Sequence, residues 1–562
     1  MRVRRFALLA VLSLAAVAAP ARSDEAKKVA EPAAVAQFAP IDEILADVKY
    51  LADLAGRGEE AKQFDSMLKS QIGEKGLKGI DTKRPWGFYS MDIGSPGTVL
   101  VPISDKKDFL DLLNNLNQKA EKGDDGIYTL TPDFPPVTVY FRFANKYLYA
   151  TAQDKGLIAK EKLLDPAKVL LPGQTSTATL LLHLDQVPDG LKRMALGEFE
   201  VQVANVKDEK PAGETDVQHQ FKVQVLDDLV AQVHGFAKEG GELDLKLTID
   251  RKAHALRAEA TVTGKPGSKL KANLADLGRA TSLFGAMVDA GSAMNLLAHG
   301  SMPAGLRKAF EPVIDEAVNK ALAKEKDETK RQLAAKVLKA LDPTFKSGEV
   351  DAGFSLRGPD ADHAYTVLAG IKLKDGKGVE KALRDLVRSL PEGARAKIKF
   401  NAEREGTVGI HRIDGQDSYD AKTRQVIGNN PIYFVIRDDA ALVAAGPDAL
   451  KAVKELAAAE PKAQPPLAFE MRLARLAPLM AAQDRDAANA AEQVFGKEGK
   501  GGDKIRFSVR GGEALKVRFS VQAPVVKFFA QVAERRQRAI EKESQEAEKA
   551  VKEAKEAKEK DK

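Results

Sequence analysis

Residues 243–262 read LDLKLTIDRKAHALRAEATV, and their alternation decides the fold. Leu243, Leu245, Leu247 and Ile249 fall on one side of an extended chain, with Asp244, Lys246 and Thr248 on the other, which is the two-residue period of a strand. After a short polar turn the pattern returns in Leu256, Ala258, Ala260 and Val262. Two strands joined so closely pair antiparallel, because parallel neighbours need a crossover of a dozen or more residues. Strict alternation also predicts one buried face and one wet face. A second ribbon of this kind closes the chain, with Ile505, Phe507 and Val509 leading to Leu515, Val517, Phe519 and Val521.

Working outward from the two ribbons, the motifs that precede them occur in the same order. Gly87-Phe88-Tyr89-Ser90-Met91 turns through Gly94-Ser95-Pro96-Gly97 into Thr98-Val99-Leu100-Val101, and Gly353-Phe354-Ser355-Leu356 turns through Gly358-Pro359-Asp360 into Tyr365-Thr366-Val367-Leu368. Each hairpin is followed by a polar turn and an amphipathic helix. Phe109, Leu112, Leu113 and Leu116 share one helical face in the first copy, and Val379, Leu383, Leu386, Val387 and Leu390 share it in the second. Then come a strand (126–130 or 409–413) and a hairpin, 139–143 to 147–150 or 432–436 to 441–444, turning through Ala144-Asn145 or Asp438-Asp439. A helix opened by Asp154 or Asp448 and a further strand, 179–184 or 469–473, complete each series.

The expected fold is α+β, two tandem pseudo-repeats, each a curved antiparallel sheet of about six or seven strands with helices packed on one face. The expected domains are a signal peptide (1–23), a polar N-terminal linker (24–37), a first α+β repeat (38–280), a second (281–532) and a charged helical or disordered tail (533–562). Copy one opens with a helix carrying Ile41, Leu45, Val48, Leu51 and Leu54, followed by the charged stretch 59–77. Copy two opens with residues 281–299, expected to form a core helix. The arrangement resembles uncharacterised bacterial exported proteins assembled from repeated helix-and-hairpin units, over most of the chain after the signal. That resemblance brings no established activity with it.

Composition narrows the function. The 87 Lys and Arg against 81 Asp and Glu leave a net charge of only +6, which is no nucleic-acid binder's imbalance. Aromatics at 6% and a single Trp supply few stacking platforms. With 0 Cys there is no disulfide, thiol nucleophile, thiolate metal site or lipoprotein anchor. Arg2, Arg4 and Arg5, an apolar run at 6–17 and Ala19-Pro20-Ala21 read as a cleaved secretory signal, whose 12-residue apolar stretch is too short to span a bilayer. A periplasmic or secreted protein without a transmembrane segment in its mature chain is expected.

The seven histidines, His183, His219, His234, His254, His299, His363 and His411, show no paired metal-ligand spacing. Neither a G-x-S-x-G elbow nor a phosphate-binding G-x-x-x-x-G-K-[ST] occurs, and Gly264-Lys265 lacks its upstream glycine, where Glu259 stands. Asp414, Asp417 and Asp420 could gather oxygen ligands for calcium, but without the spacing and closing Glu of an EF-hand they read as a polar turn. Asp124-Asp125 and Asp438-Asp439 likewise read as turns. No catalytic, cofactor-binding or metal residue is assigned, and no cofactor is expected. A non-enzymatic interaction or scaffolding module of the cell envelope follows, with an unknown envelope protein or an apolar ligand as its partner. The alternatives are a carrier of a lipid or other apolar ligand, suggested by Met287, Met294 and Met302, and a hydrolase whose site is assembled from distant residues.

Overall fold

The structure, a computed structural model, describes residues 31–562 apart from 64–65, 67–75, 133–136, 171–174, 324–326, 482–483, 497–501 and 561–562. The expected signal peptide and most of the charged stretch 59–77 lie outside the described residues. The N-terminal half supplies β1 (Ala34–Phe38), β2 (Trp86–Ser90), β3 (Thr98–Pro102), β4 (Glu121–Lys122), β5 (Tyr128–Leu130), β6 (Val139–Ala144), β7 (Tyr147–Ala152), β8 (Ala178–His183), β9 (Gly240–Asp250) and β10 (Ala255–Gly264). The C-terminal half supplies β11 (Thr281–Ser282), β12 (Ser292–Ser301), β13 (Glu349–Arg357), β14 (Thr366–Lys372), β15 (Ile398–Glu405), β16 (Val408–Ile413), β17 (Ile432–Ile436), β18 (Ala440–Ala445), β19 (Lys462–Ala463), β20 (Leu467–Arg472), β21 (Lys504–Arg510) and β22 (Ala514–Gln522). The principal helices are α1 (Ile41–Leu54), α2 (Lys106–Asn115), α3 (Asp189–Asp208), α4 (Asp216–Glu239), α5 (Lys269–Arg279), α6 (Ala304–Ala323), α7 (Glu328–Ser347), α8 (Gly376–Arg388), α9 (Ala449–Ala457), α10 (Leu473–Met480), α11 (Arg485–Phe495) and α12 (Ala523–Lys560). No helix among the described residues is long and apolar enough to cross a membrane.

All these strands except β11 and β19, which pair with each other, join one 20-stranded sheet, and every pairing is antiparallel. From its centre outward the N-terminal half runs β10, β9, β8, β1, β2, β3, β7, β6, β5, β4. The C-terminal half runs β22, β21, β20, β12, β13, β14, β18, β17, β16, β15. Strands of the same rank in chain order therefore occupy the same places. The halves meet where β10 pairs with β22, from Ala255 opposite Gln522 to Thr263 opposite Ala514.

Local chemistry sets the outer elements. Asp105 and Asp375 cap α2 and α8, their carboxylates accepting the amides of Asp108 and Gly378 at 2.8 and 2.9 Å. On the face called front here, Phe109, Leu112 and Leu113 of α2 pack on Val99, Val101, Phe141, Leu148 and Ala150. On the back face, Tyr89, Leu100, Tyr147 and Tyr149 meet Ile158, Val169 and Leu170. In the C-terminal half, α9 covers the back face through Ala452, Val453 and Leu456 on Leu442, Ala444 and Val435.

Four expectations change. Each half contributes ten strands to the sheet rather than six or seven, because pairings such as β1 with β8 and β12 with β20 link segments far apart in sequence. Helical segments cover both faces of the outer sheet, since β3 and β7 are buried at every residue and need cover on each side. Residues 34–37, the end of the expected linker, form β1 together with Phe38. Residues 281–299 hold β11, a short helical turn and most of β12 instead of a helix. There Phe284, Met287 and Val288, and Met294 and Leu297, fall at spacings of three and four by coincidence, while Gly285, Gly291 and a bulge after Ser292 suit extended chain.

Candidate functional site

The ribbons β9–β10 and β21–β22 form the middle of the sheet. Every front-facing side chain of β9, β10, β22 and β21 between Leu243 and Val521 is apolar. The registers set them in rows across the strands. One row passes from Leu247 through Ala258, Phe519, Phe507 and Phe469 to Leu296. It continues through Phe354 and Ala369 to Val443, Phe434 and His411.

A face of this composition would ordinarily be packed against something. Here Leu247 remains 46% exposed and Phe519 44%, with Leu245, Leu296, Val350 and Ile371 also exposed. Isolated exposed leucines need no explanation, but neighbours in one register row make a contiguous patch. The back of the same strands is ordinary wet surface. There Arg518 Nε lies 2.6 Å from Glu259 Oε1 and Arg506 Nε 2.6 Å from Glu470 Oε2.

Helices stand on the front face at both ends of the central strands. At one end Val525, Phe528 and Val532 of α12 join α10 and α11 over Met471, Ile505 and Val521. At the other, α5 crosses so closely that a Cβ on Gly264 would meet the Lys271 amide at 2.6 Å, and one on Gly511 would meet Leu277 Cβ at 2.6 Å. The open patch is therefore the floor of a trough.

The acidic turns and the histidines are dispersed over the molecule. Asp414 pairs with Arg412 and Lys399 at 2.6 and 2.9 Å, and these cations hold its carboxyl below the usual range. Asp420 is lowered by its bonds to Thr423, whose amide it caps at 2.7 Å, and Asp417 faces Lys397 at 3.9 Å. The three carboxylates thus have separate partners. Asp125 accepts the Ile127 amide, Asp438 pairs with Lys377 and Asp439 with Arg437. Among the described residues no group of three or more His, Asp or Glu side chains is placed to hold a metal ion.

The histidines are equally scattered. His183 neighbours Glu242 and His219 neighbours Glu214, while His234 bonds Glu200, His254 bonds Tyr50 and His299 contacts the Gln464 carbonyl. His363 lies in a turn that lines a cleft of about 560 Å³ with Asp360, Asp362 and Arg424, but Asp360 is already bonded to the Asp362 and Ala364 amides. Buried His411 accepts the Asn401 amide at 2.9 Å on Nδ1, faces Glu380 at 3.7 Å on Nε2, and packs on Phe400 and Phe434. Burial lowers its pKa. Met287 is buried against Gly353 and Gly370 behind the sheet, whereas Met294 pairs with Met471 on the front, so these methionines line no common pocket.

Comparison of the chain with protein-family models, curated proteins and solved structures gives no match. Function must come from the molecule's own surfaces. Leu245, Leu247, Ala258 and Phe519 were visible in the sequence as a strand face; what the alternation could not carry is that no element of the described chain covers them.

Proposed function

We propose that this chain is a non-enzymatic binding module of the cell envelope, built from two tandem α+β repeats, whose site is the open apolar floor of the central sheet. The carrying observation is the row of exposed side chains from Leu247 to Phe519 between flanking helices. The matching strand order of the halves supports the repeat reading. The basic, apolar and small-residue segments at 2–5, 6–17 and 19–21 support export to the periplasm or beyond, with cleavage near residue 23. N-terminal sequencing of the protein recovered from a bacterial envelope fraction tests that part; an intact Met1 refutes it.

The test of the site uses 1-anilinonaphthalene-8-sulfonate, a dye that brightens on exposed apolar surface. The folded full chain should bind it saturably at neutral pH. The double variant Leu247→Lys with Phe519→Lys should melt within a few degrees of the parent, because both side chains already meet solvent, and should lose most of the signal. A folded chain that leaves the dye dark, or a double variant that binds as well as the parent, refutes the site.

A further inference from the structure

The trough floor is not uniform. Ranked within their halves, Ala258 and Ala260 of β10 stand where β22 has Val517 and Phe519. The two alanines leave a furrow along β10. Leu245 and Leu247 form one bank and Val517 and Phe519 the other, since Ala258 pairs with Leu247 and Phe519, and Ala260 with Leu245 and Val517. Bank to bank spans two strand spacings, roughly 10 Å, and the alanines lower the middle of an apolar row that runs roughly 20 Å from Leu256 to Val262. That is wide enough for one hydrocarbon chain and somewhat longer than the ~15 Å that one leaflet of a bilayer core takes up. Apolar side chains alone line it, so its occupant makes no hydrogen bonds along this length.

The end of the furrow beneath α5 is basic. Lys265 directly follows β10, and Lys271 lies over Gly264. Lys192, Arg193, Lys238 and Lys265 share an adjoining open cavity of about 350 Å³, in which Asp189 is the only carboxylate among the described residues. Asp189 is 4.0 Å from Lys192. Two nearby carboxylates are engaged: Glu239 caps α5 through the Leu270 amide at 2.7 Å, and Glu200 is bonded to His234. An apolar furrow with cations gathered at one end is complementary to an amphiphile with one long chain and one negative charge. The helices standing at both ends of the floor recess it, which favours a lipid taken up singly over the flat surface of a bilayer.

Resting on the binding-face reading above, we infer that the furrow along β10 holds one long-chain fatty acid, its hydrocarbon over Ala258 and Ala260 and its carboxylate among Lys265, Lys271 and Lys238. The experiment titrates the dye-saturated full chain with oleate and, separately, with oleyl alcohol. Oleate should displace the dye at least tenfold more effectively than the alcohol, and the advantage should shrink as salt rises. Ala260→Phe and Ala258→Leu, each filling the furrow, should weaken oleate at least tenfold while the melting transition stays in place. Lys265→Glu with Lys271→Glu should weaken oleate about tenfold and leave the alcohol unchanged.

Equal displacement by acid and alcohol overturns the inference, as do furrow variants that bind oleate like the parent. Co-sedimentation with phosphatidylglycerol vesicles without binding of dispersed oleate also overturns it, in favour of a membrane surface. Dye fluorescence untouched by Leu247→Lys with Phe519→Lys is a different failure, because it removes the binding face itself.

Discussion

The two halves of the sheet share a strand order and differ in what lies over their front faces. In the N-terminal half Ala150, paired with Phe141, is 1% exposed, and α2 seals Tyr128, Phe141 and Phe143 beneath Phe109. In the C-terminal half Val443, paired with Phe434, is 45% exposed although α8 occupies the corresponding place in chain order. Four rings interlock in the first case, with Phe109, Tyr128, Phe141 and Phe143 at centroid distances of 5.1 to 6.3 Å. The second has Phe400, Phe434 and His411, with Arg384 lying over the Phe400 ring. One backbone plan thus supports a sealed core at one end and an apolar surface running from mid-sheet toward the other. The closed half shows what the open half lacks, which is a layer of matched side chains.

The largest effect that tests this contrast is Phe141→Ala. Removing a buried ring costs about 3–5 kcal/mol, whereas Val443→Ala should cost below about 1 kcal/mol, because Val443 is already half in water. Trp86, the single tryptophan, stacks on Phe38 in the N-terminal half at 4.4 Å and reports that half's unfolding in urea. Phe141→Ala should move the tryptophan transition to markedly lower urea, and Val443→Ala should hardly move the unfolding of the whole chain followed by circular dichroism. Similar shifts for the two variants would mean that the C-terminal front face is sealed in solution.

Next in size is a pH effect confined to the C-terminal half. β16 places His411 opposite Phe434, where β5 places Tyr128 opposite Phe141. Burial favours the neutral ring, Glu380 opposes that and Arg384 reinforces it, and the result is a pKa below the ordinary 6.5. The unfolded chain therefore takes up a proton first as pH falls. Stability is whole above about 6.5 and declines below it until the folded-state pKa is reached. Circular dichroism in urea at pH 7.5 and 5.5 should show this loss in the parent and a smaller one in His411→Phe. A loss of the same size in both would assign the pH dependence to other groups.

How much of this was legible follows from the range of each interaction. Hairpins such as β6–β7 could be read locally, because Asn145 and Lys146 take positive φ in the tight turn that follows Phe143 and Ala144. So could α2 and α8, from apolar spacing and an Asp before each. The pairings β1–β2, β1–β8, β12–β20 and β10–β22 leave no such mark, and they turn hairpins into one sheet. The apolar floor was partly legible. Leu245, Leu247 and Phe519 announce a strand face by alternation, but whether a layer covers that face depends on where α3, α4 and α5 travel after their strands. Expecting a helix at 281–299 shows the same limit, since small residues and leucines at spacings of three and four suit either a helix or a strand inside a sheet.

The smallest expected effect concerns the seam between the halves. β10 and β22 are joined along nine residue pairs from Ala255 to Thr263, and Glu259 with Arg518 stands at the centre of that ladder. Their 2.6 Å contact invites the view that an ion pair clasps the molecule together. The Arg518 side chain is 63% exposed, however, and pairs of this kind contribute about 0–1 kcal/mol once screening and side-chain entropy are counted. A double-mutant cycle with Glu259→Gln and Arg518→Gln should therefore return a coupling below about 1 kcal/mol that falls further in salt. The seam would then owe its strength to the backbone ladder and to apolar pairs such as Leu256 with Val521 and Ala260 with Val517. A coupling of several kcal/mol would contradict this, and it would mean that the back of the central sheet is shielded from water in solution. Because the wet back face is the counterpart of the open apolar front, that outcome would also require a second covering layer and a different account of which face receives a partner.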